Sequence, residues 1–194
     1  MNVYVINRSD RPERLRHARA QLSKQNLNAR RFEAIIDTVG WRGCRDSHIS
    51  LLEQATPESV TLILEDDMLF LNDFFENVPL AMAELPSDWD CLYLGASPQK
   101  PQEVYSEHLY RINHAWCMHG VMWRKRKGGA VEYMLENRAE IKKIDVYMSE
   151  VIHPNFNCFL IKPMILTQSP KFNSDTCKRA DLSTIEKNYQ TYCK

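Results

Sequence analysis

Short apolar runs bounded by polar turns alternate along this chain with stretches whose apolar residues recur every three or four positions. The first period marks strands and the second amphipathic helices. Residues 3–6 read as an opening strand. Leu15, Ala18 and Leu22 then give one helical face, entered through Asp10 and Glu13 in a capping-box pattern and Pro12 in the first turn. Residues 31–36 form a second strand candidate. Between 41 and 55, Cys44, His48, Leu51, Leu52 and Ala55 share a helical stripe. Asn72 or Asp73 caps a helix carrying Phe74, Val78, Met82 and Leu85, stopped by Pro86. Residues 90–95 read as a buried strand, 97–102 as a mobile proline-bearing loop, 104–112 as peripheral strands and 116–123 as a further strand. A helix over 130–143 leads to a second helical segment with Asp145 as its N-cap. Strands over 156–161 and 164–167 follow, and Ser183 with Glu186 predicts a capped helix at the end. Strands alternating with helices define an α/β chain.

The run Val60-Thr61-Leu62-Ile63-Leu64 is a strand for the buried middle of a sheet, and Glu65, Asp66 and Asp67 follow it without a gap. Side chains alternate along a strand, so Glu65 and Asp67 are expected on one face and Asp66 on the other. Adjacent carboxylates repel unless a cation or hydrogen-bond donors offset their charge. The carboxyl end of a strand is also where open α/β sheets bind ligands. A divalent metal holding a phosphate-bearing substrate accounts for all three facts; a solvated acidic turn is the plain alternative. The polar turn after the first strand, with Ile6, Asn7, Arg11 and Arg14, offers donors to a nucleotide. Cys44 and His48, four residues apart, are short of a ligand set by themselves, so packing or a buried hydrogen bond is their expected role.

Composition narrows the function. The chain has 194 residues, 44% hydrophobic and 26% charged, with zero formal net charge. That length predicts one domain over 1–194, and the neutral balance argues against a general nucleic-acid or anionic-membrane binder. No apolar run approaches membrane-spanning length, and the first residues lack a signal-peptide pattern. Six cysteines are scattered without Cys-x-x-Cys pairs. Free thiols in a reduced, cytoplasmic protein are the expectation.

Several local patterns then align with one family. Val5-Ile6-Asn7 with Asp10-Arg11 and Arg14, Gly43-Cys44 with Ser47-His48, and Leu62-Ile63-Leu64-Glu65-Asp66-Asp67 come first. Asp90 with Leu94-Gly95, Gly129-Ala130, Ile144-Asp145-Val146-Tyr147, Pro163 with Gln168, and Ser174-Asp175 complete the series. In this order the chain resembles glycosyltransferase family 25, the lipooligosaccharide and procollagen galactosyltransferases. The resemblance implies a GT-A type, Rossmann-like α/β fold with a mixed central sheet. It implies donor and metal binding mainly over 1–95 and the acceptor side mainly over 96–194. It further implies Mn2+ or Mg2+ and inverting transfer of a hexose, galactose or glucose, from a UDP-sugar to a glycan or protein-linked hydroxyl. Asp67 with Glu65 would be the metal ligands; Ile6, Asn7, Arg11, Arg14, Glu65 and Asp66 would be the donor-binding residues. Asp145 would be the catalytic base, with Asp175 and Asp90 as runners-up. Arg8 departs from the family's usual apolar residue, and His119-Gly120-Val121 from a more aromatic pattern. A metal-dependent phosphohydrolase and a non-catalytic sugar-binding domain are the competing readings of the same carboxylates.

Overall fold

The strands of the computed structural model, which describes residues 1–173 and 183–194, gather mainly into one sheet with helices on both faces. In chain order the elements are β1 (Asn2–Asn7), α1 (Pro12–Lys24), β2 (Arg30–Glu33), α2 (Gly40–Gln54), β3 (Val60–Glu65), β4 (Met68–Phe70) and α3 (Phe74–Glu84). Six short strands follow: β5 (Cys91–Tyr93), β6 (Ser97–Pro98), β7 (Glu103–Val104), β8 (Leu109–Arg111), β9 (Ala115–Trp116) and β10 (Gly120–Arg124). Next come α4 (Ala130–Glu136) and α5 (Ile144–Tyr147), the latter running through a π-turn at Met148–Ile152 into α6 (His153–Asn155). The chain ends with β11 (Cys158–Ile161), β12 (Leu166–Gln168) and α7 (Ser183–Tyr192).

The large sheet has the order β2-β1-β3-β10-β5-β11-β8-β7. β1 is parallel to β2 and β3, and β5 is parallel to β11, whereas β10 runs antiparallel to both β3 and β5. The expected α/β fold with a mixed central sheet is therefore what the chain forms. β3 lies between two strands and under helices on both faces, which explains its unbroken apolar run. Ile63 packs toward α2 and α4 with Tyr93, Val121 and Trp123. Leu62 and Leu64 pack toward α1 and α3 with Val5, Leu22 and Val78. All three β3 residues are fully buried.

Several boundaries differ from the sequence expectation for local reasons. Asp10 does not cap α1. It pairs with Arg8 at 2.7 Å, and Arg11 takes the N-cap position without a side-chain bond. Asp73 does cap α3, accepting from the Glu76 amide at 2.9 Å. Asp145 is not an N-cap. Lys143 holds that position, and Asp145 is the second residue of α5. The 97–102 segment is held rather than loose. Ser97–Pro98 pairs with Ala115–Trp116, Asn188 of α7 donates to Ser97 Oγ at 3.0 Å, and the Gln102 amide donates to the Tyr192 carbonyl at 2.8 Å. Cys44, Cys91, Cys117, Cys158 and Cys193 are free thiols. Cys177, Asp175 and the Ser183 cap lie outside the described residues and side chains. No helix among the described residues is long and apolar enough to cross a membrane.

Candidate active site

β1 and β3 run side by side in the same direction, so both end at one edge of the sheet, with Ile6 opposite Glu65. Beside that edge is a cleft that opens to solvent. Ile6, Asn7, Arg14, Glu65, Asp66 and Asp67, all named as site candidates from the sequence, line it together, and Gln168 joins them from β12. Arg8 also lines the cleft, whereas Arg11 and Asp145 do not. The Arg11 carbonyl accepts from Asn7 Nδ2 at 3.2 Å.

The acidic triplet divides differently from the alternation rule, because β3 stops at Glu65 and the chain turns through Asp66 and Asp67 into β4. Glu65 keeps the strand's α2-facing direction. Asp66 and Asp67 turn together toward α1, where Arg14 Nε donates to Asp66 Oδ1 at 2.6 Å and Nη2 to Asp67 Oδ2 at 2.8 Å. All three of these side chains are buried. Asn7 Nδ2 donates to the remaining Asp66 oxygen at 2.7 Å. Arg31 Nε donates to Asn7 Oδ1 at 3.0 Å, which fixes the way that amide faces. The segment after β12 covers the turn. The Ser169 amide donates to the Asp67 carbonyl at 2.7 Å, and the Arg14 guanidinium lies 5.3 Å from the Phe172 ring centroid. Arg14, expected to meet a nucleotide, lines the cleft and pairs with both aspartates.

Three carboxylates against one guanidinium leave two negative charges when all are ionised. Burial, and then the charge of Glu65, push the Asp67 carboxyl up to about 7 despite Arg14. Burial also raises Asp66, with Arg14 and Asn7 opposing it. For Glu65 burial works against ionisation, but His48, His119 and Arg14 outweigh it and hold the group below its ordinary value. Asp67 Oδ1 is buried with no hydrogen-bond partner. An orphaned carboxylate oxygen, in a cleft that is doubly negative once its carboxyls ionise, fits a divalent cation.

The raised Asp67 value sets a pH dependence. The folded state binds the proton more tightly than the unfolded one, so this group's contribution to stability falls as pH rises from about 4 to about 7. His153, which burial pushes down to about 3, contributes the opposite slope. Comparing wild type with Asp67→Asn in chelator isolates the first effect. The variant's melting temperature should gain on wild type as pH rises through that window and keep its lead above it. A difference that does not change with pH would contradict the buried, raised carboxyl.

α2 forms the opposite wall. Gly43 leaves no room for a Cβ against the Ile35 carbonyl, so glycine lets the helix meet the 35–37 segment backbone to backbone. Ser47 Oγ accepts from the Ile35 amide at 2.9 Å and donates to the Gly43 carbonyl at 2.7 Å. The spacing then turns Cys44 and His48 toward Glu65, with His48 Nε2 at 3.6 Å and Cys44 Sγ at 3.9 Å from Oε1. On the other side Gln168 Nε2 donates to Glu65 Oε2 at 3.2 Å. The i, i+4 stripe was visible in the sequence, but its convergence on Glu65 was not. Ile35 and Ile36 stand exposed at the cleft mouth.

Asp145 is half-buried outside the lining, and its Oδ1 accepts from the Val146 amide at 2.9 Å. Burial raises its pKa, the Val146 amide opposes, and the charge of Glu65 adds to the rise. Asp90 is fully buried, accepting from the Ala130 and Asn157 amides and from Arg126. It precedes β5, which runs parallel to β3, and so lies at the sheet edge opposite the cleft. Asp90 is a structural anchor and drops out as a base.

No family model matches the chain, and no curated protein matches it. Solved structures do match it, two of them as follows. A197 from STIV matches over 90% of this chain and 87% of its own, at 12% identity and a TM-score of 0.49. The galactosyltransferase LgtC, crystallised in complex with donor and acceptor sugar analogs, matches over 100% of this chain and 97% of its own, at 11% identity and a TM-score of 0.44.

Proposed function

We propose that the chain is a metal-dependent glycosyltransferase of the GT-A type, moving a hexose from a UDP-sugar to a glycan or protein-linked hydroxyl. The observation that carries this reading is the orphaned Asp67 oxygen among three strand-end carboxylates of which Arg14 neutralises only one charge. Sequence resemblance to glycosyltransferase family 25 runs through the same residues and supports the choice of reaction.

Asp67, with Glu65, would hold Mn2+ or Mg2+, since carboxylate oxygens suit both ions. Such an ion supplies compensation for the charge that develops on a departing diphosphate. The chain's own residues do the rest. Arg14 and Asn7 hold the aspartates in register, and the exposed Ile35 and Ile36 offer apolar surface to a nucleoside at the mouth. Asp145 is assigned as the base that takes the acceptor hydroxyl's proton, and its burial strengthens it for that task.

Incubation with a panel of UDP-sugars and Mn2+, with and without glycan acceptors, tests the reading. Acceptor-dependent UDP release is expected. Release of phosphate without acceptor would make the chain a hydrolase, and binding without turnover a sugar-nucleotide-binding domain. In calorimetry, Asp67→Asn should remove the Mn2+-dependent part of UDP binding; unchanged binding would overturn the ligand assignment.

A further inference from the structure

We propose a second cation site on the α2 wall of the cleft, in which Cys44 Sγ, His48 Nε2 and Glu65 Oε1 bind a borderline-soft divalent ion of the zinc class. The three ligand atoms lie within 4.8 Å of one another. Their spacing is close to that of coordination. His48 Nε2 stands 3.6 Å from Glu65 Oε1, well outside the usual N–H···O range, and Cys44 Sγ stands 3.9 Å away, a long S–H···O contact. Tetrahedral zinc, with its ordinary bond lengths to sulfur, nitrogen and oxygen, separates neighbouring ligand atoms by roughly 3.3–3.7 Å, so the His48–Glu65 distance already falls in the range and Cys44 Sγ would move slightly inward on binding.

His48 supplies an independent sign. It is 1% exposed, yet neither ring nitrogen has a hydrogen-bond partner. Leaving buried imidazole nitrogens unpaired is costly, and a metal bond at Nε2 would satisfy one of them. The backbone supports the arrangement. Cys44 and His48 are one helical turn apart on α2, and Ser47 and Gly43 tie that turn to the 35–37 segment. Glu65 is held from its other side by Gln168. Three protein ligands facing an open cleft leave a fourth position for water or a ligand.

Both sites draw on Glu65, and the chemistry of their other ligands separates this ion from the one assigned to Asp67. Thiolate and imidazole select zinc-like ions, whereas carboxylates alone suit Mn2+ or Mg2+. With no cation present, burial and the charges of Glu65, Asp145 and Asp67 keep Cys44 a thiol. Binding forms the sulfur–metal bond and releases the thiol proton to solvent. The site does not depend on glycosyl transfer and would stand if the chain never handled a nucleotide sugar.

Cobalt titration of the chelated, reduced full chain tests the proposal, because cobalt replaces zinc and reports its ligands. One equivalent of Co2+ should produce a sulfur-to-cobalt charge-transfer band in the near ultraviolet, and equimolar Zn2+ should abolish it. The band should be lost in Cys44→Ser and weakened in His48→Gln, both checked for folding by circular dichroism. It should persist in Asp67→Asn, the variant that loses Mn2+-dependent UDP binding, so the two sites fail separately. Absence of the band in wild type, or its persistence in Cys44→Ser, would overturn the proposal. Should a variant not fold, the wild-type band and a Zn2+-induced rise in melting temperature decide the matter.

Discussion

Arg14→Ala is expected to destabilise the folded chain by about 3–5 kcal/mol, the cost of stranding buried carboxylates without their cation. Arg14 is 7% exposed and bonds Asp66 through Nε and Asp67 through Nη2, while Nη1 donates to the Asn173 carbonyl at 3.1 Å. Alanine removes the only positive charge that bonds these aspartates among the described residues. Urea unfolding at neutral pH should show a lower midpoint with an unchanged slope. Arg14→Lys should recover part of the loss, because an ammonium keeps the charge but not the planar fork that meets both carboxylates. Adding Asp66→Asn and Asp67→Asn to Arg14→Ala should also recover stability, since no buried charge is then left unpaired. A loss below about 1 kcal/mol would show that the pair behaves as a surface contact. Weaker UDP binding by Arg14→Ala would follow from the displaced aspartates and would not make Arg14 a nucleotide ligand.

Asp145→Asn should lower transfer by roughly a hundredfold or more, the usual loss when a positioned general base is removed. The substitution keeps the side chain's shape and an oxygen to accept from the Val146 amide. The variant should therefore melt close to wild type and bind UDP-sugar and Mn2+ normally. Its pH profile should lose the acidic limb, which in wild type lies above the ordinary aspartate range because burial raises the group. Retained transfer with an unchanged profile would reduce Asp145 to a local turn residue. Asp175, which lies outside the described residues, would then be the next candidate, since Asp90 faces the other edge of the sheet.

Much of this architecture was legible because it depends on neighbours in sequence. The apolar run of β3, the Asp73 cap of α3 and the stripe joining Cys44 to His48 follow from periodicities of two or about four residues. The alternation rule also placed Glu65 correctly, as long as the strand lasted. It failed at Asp66 and Asp67 because a turn begins there, and a turn obeys no two-residue period. The pairing of Arg14 with the aspartates went unseen because its partners lie 52 and 53 residues away, and no local pattern shows such a pairing. The same limit explains 97–102. Proline in that segment suggested looseness, but Asn188 and Tyr192, far along the chain, hold it in place. Asp145 sits two positions beyond the cap expected of it, and its pKa direction follows burial.

The reversed strand β10 has a consequence for synthesis. It fills the space between β3 and β5, so residues 60–64 wait for residues 120–124 to arrive. A nascent chain that has emerged only as far as residue 119 has β1, β2 and β3 in hand, with one apolar edge of β3 bare. An uncovered edge of that kind invites pairing with another chain. Cutting the gene at residue 95 would make the condition permanent. The resulting fragment would carry the whole carboxylate triplet and most of the cleft lining, yet lack the strand between β3 and β5. Such a fragment should be recovered as aggregate rather than as a small metal-binding module.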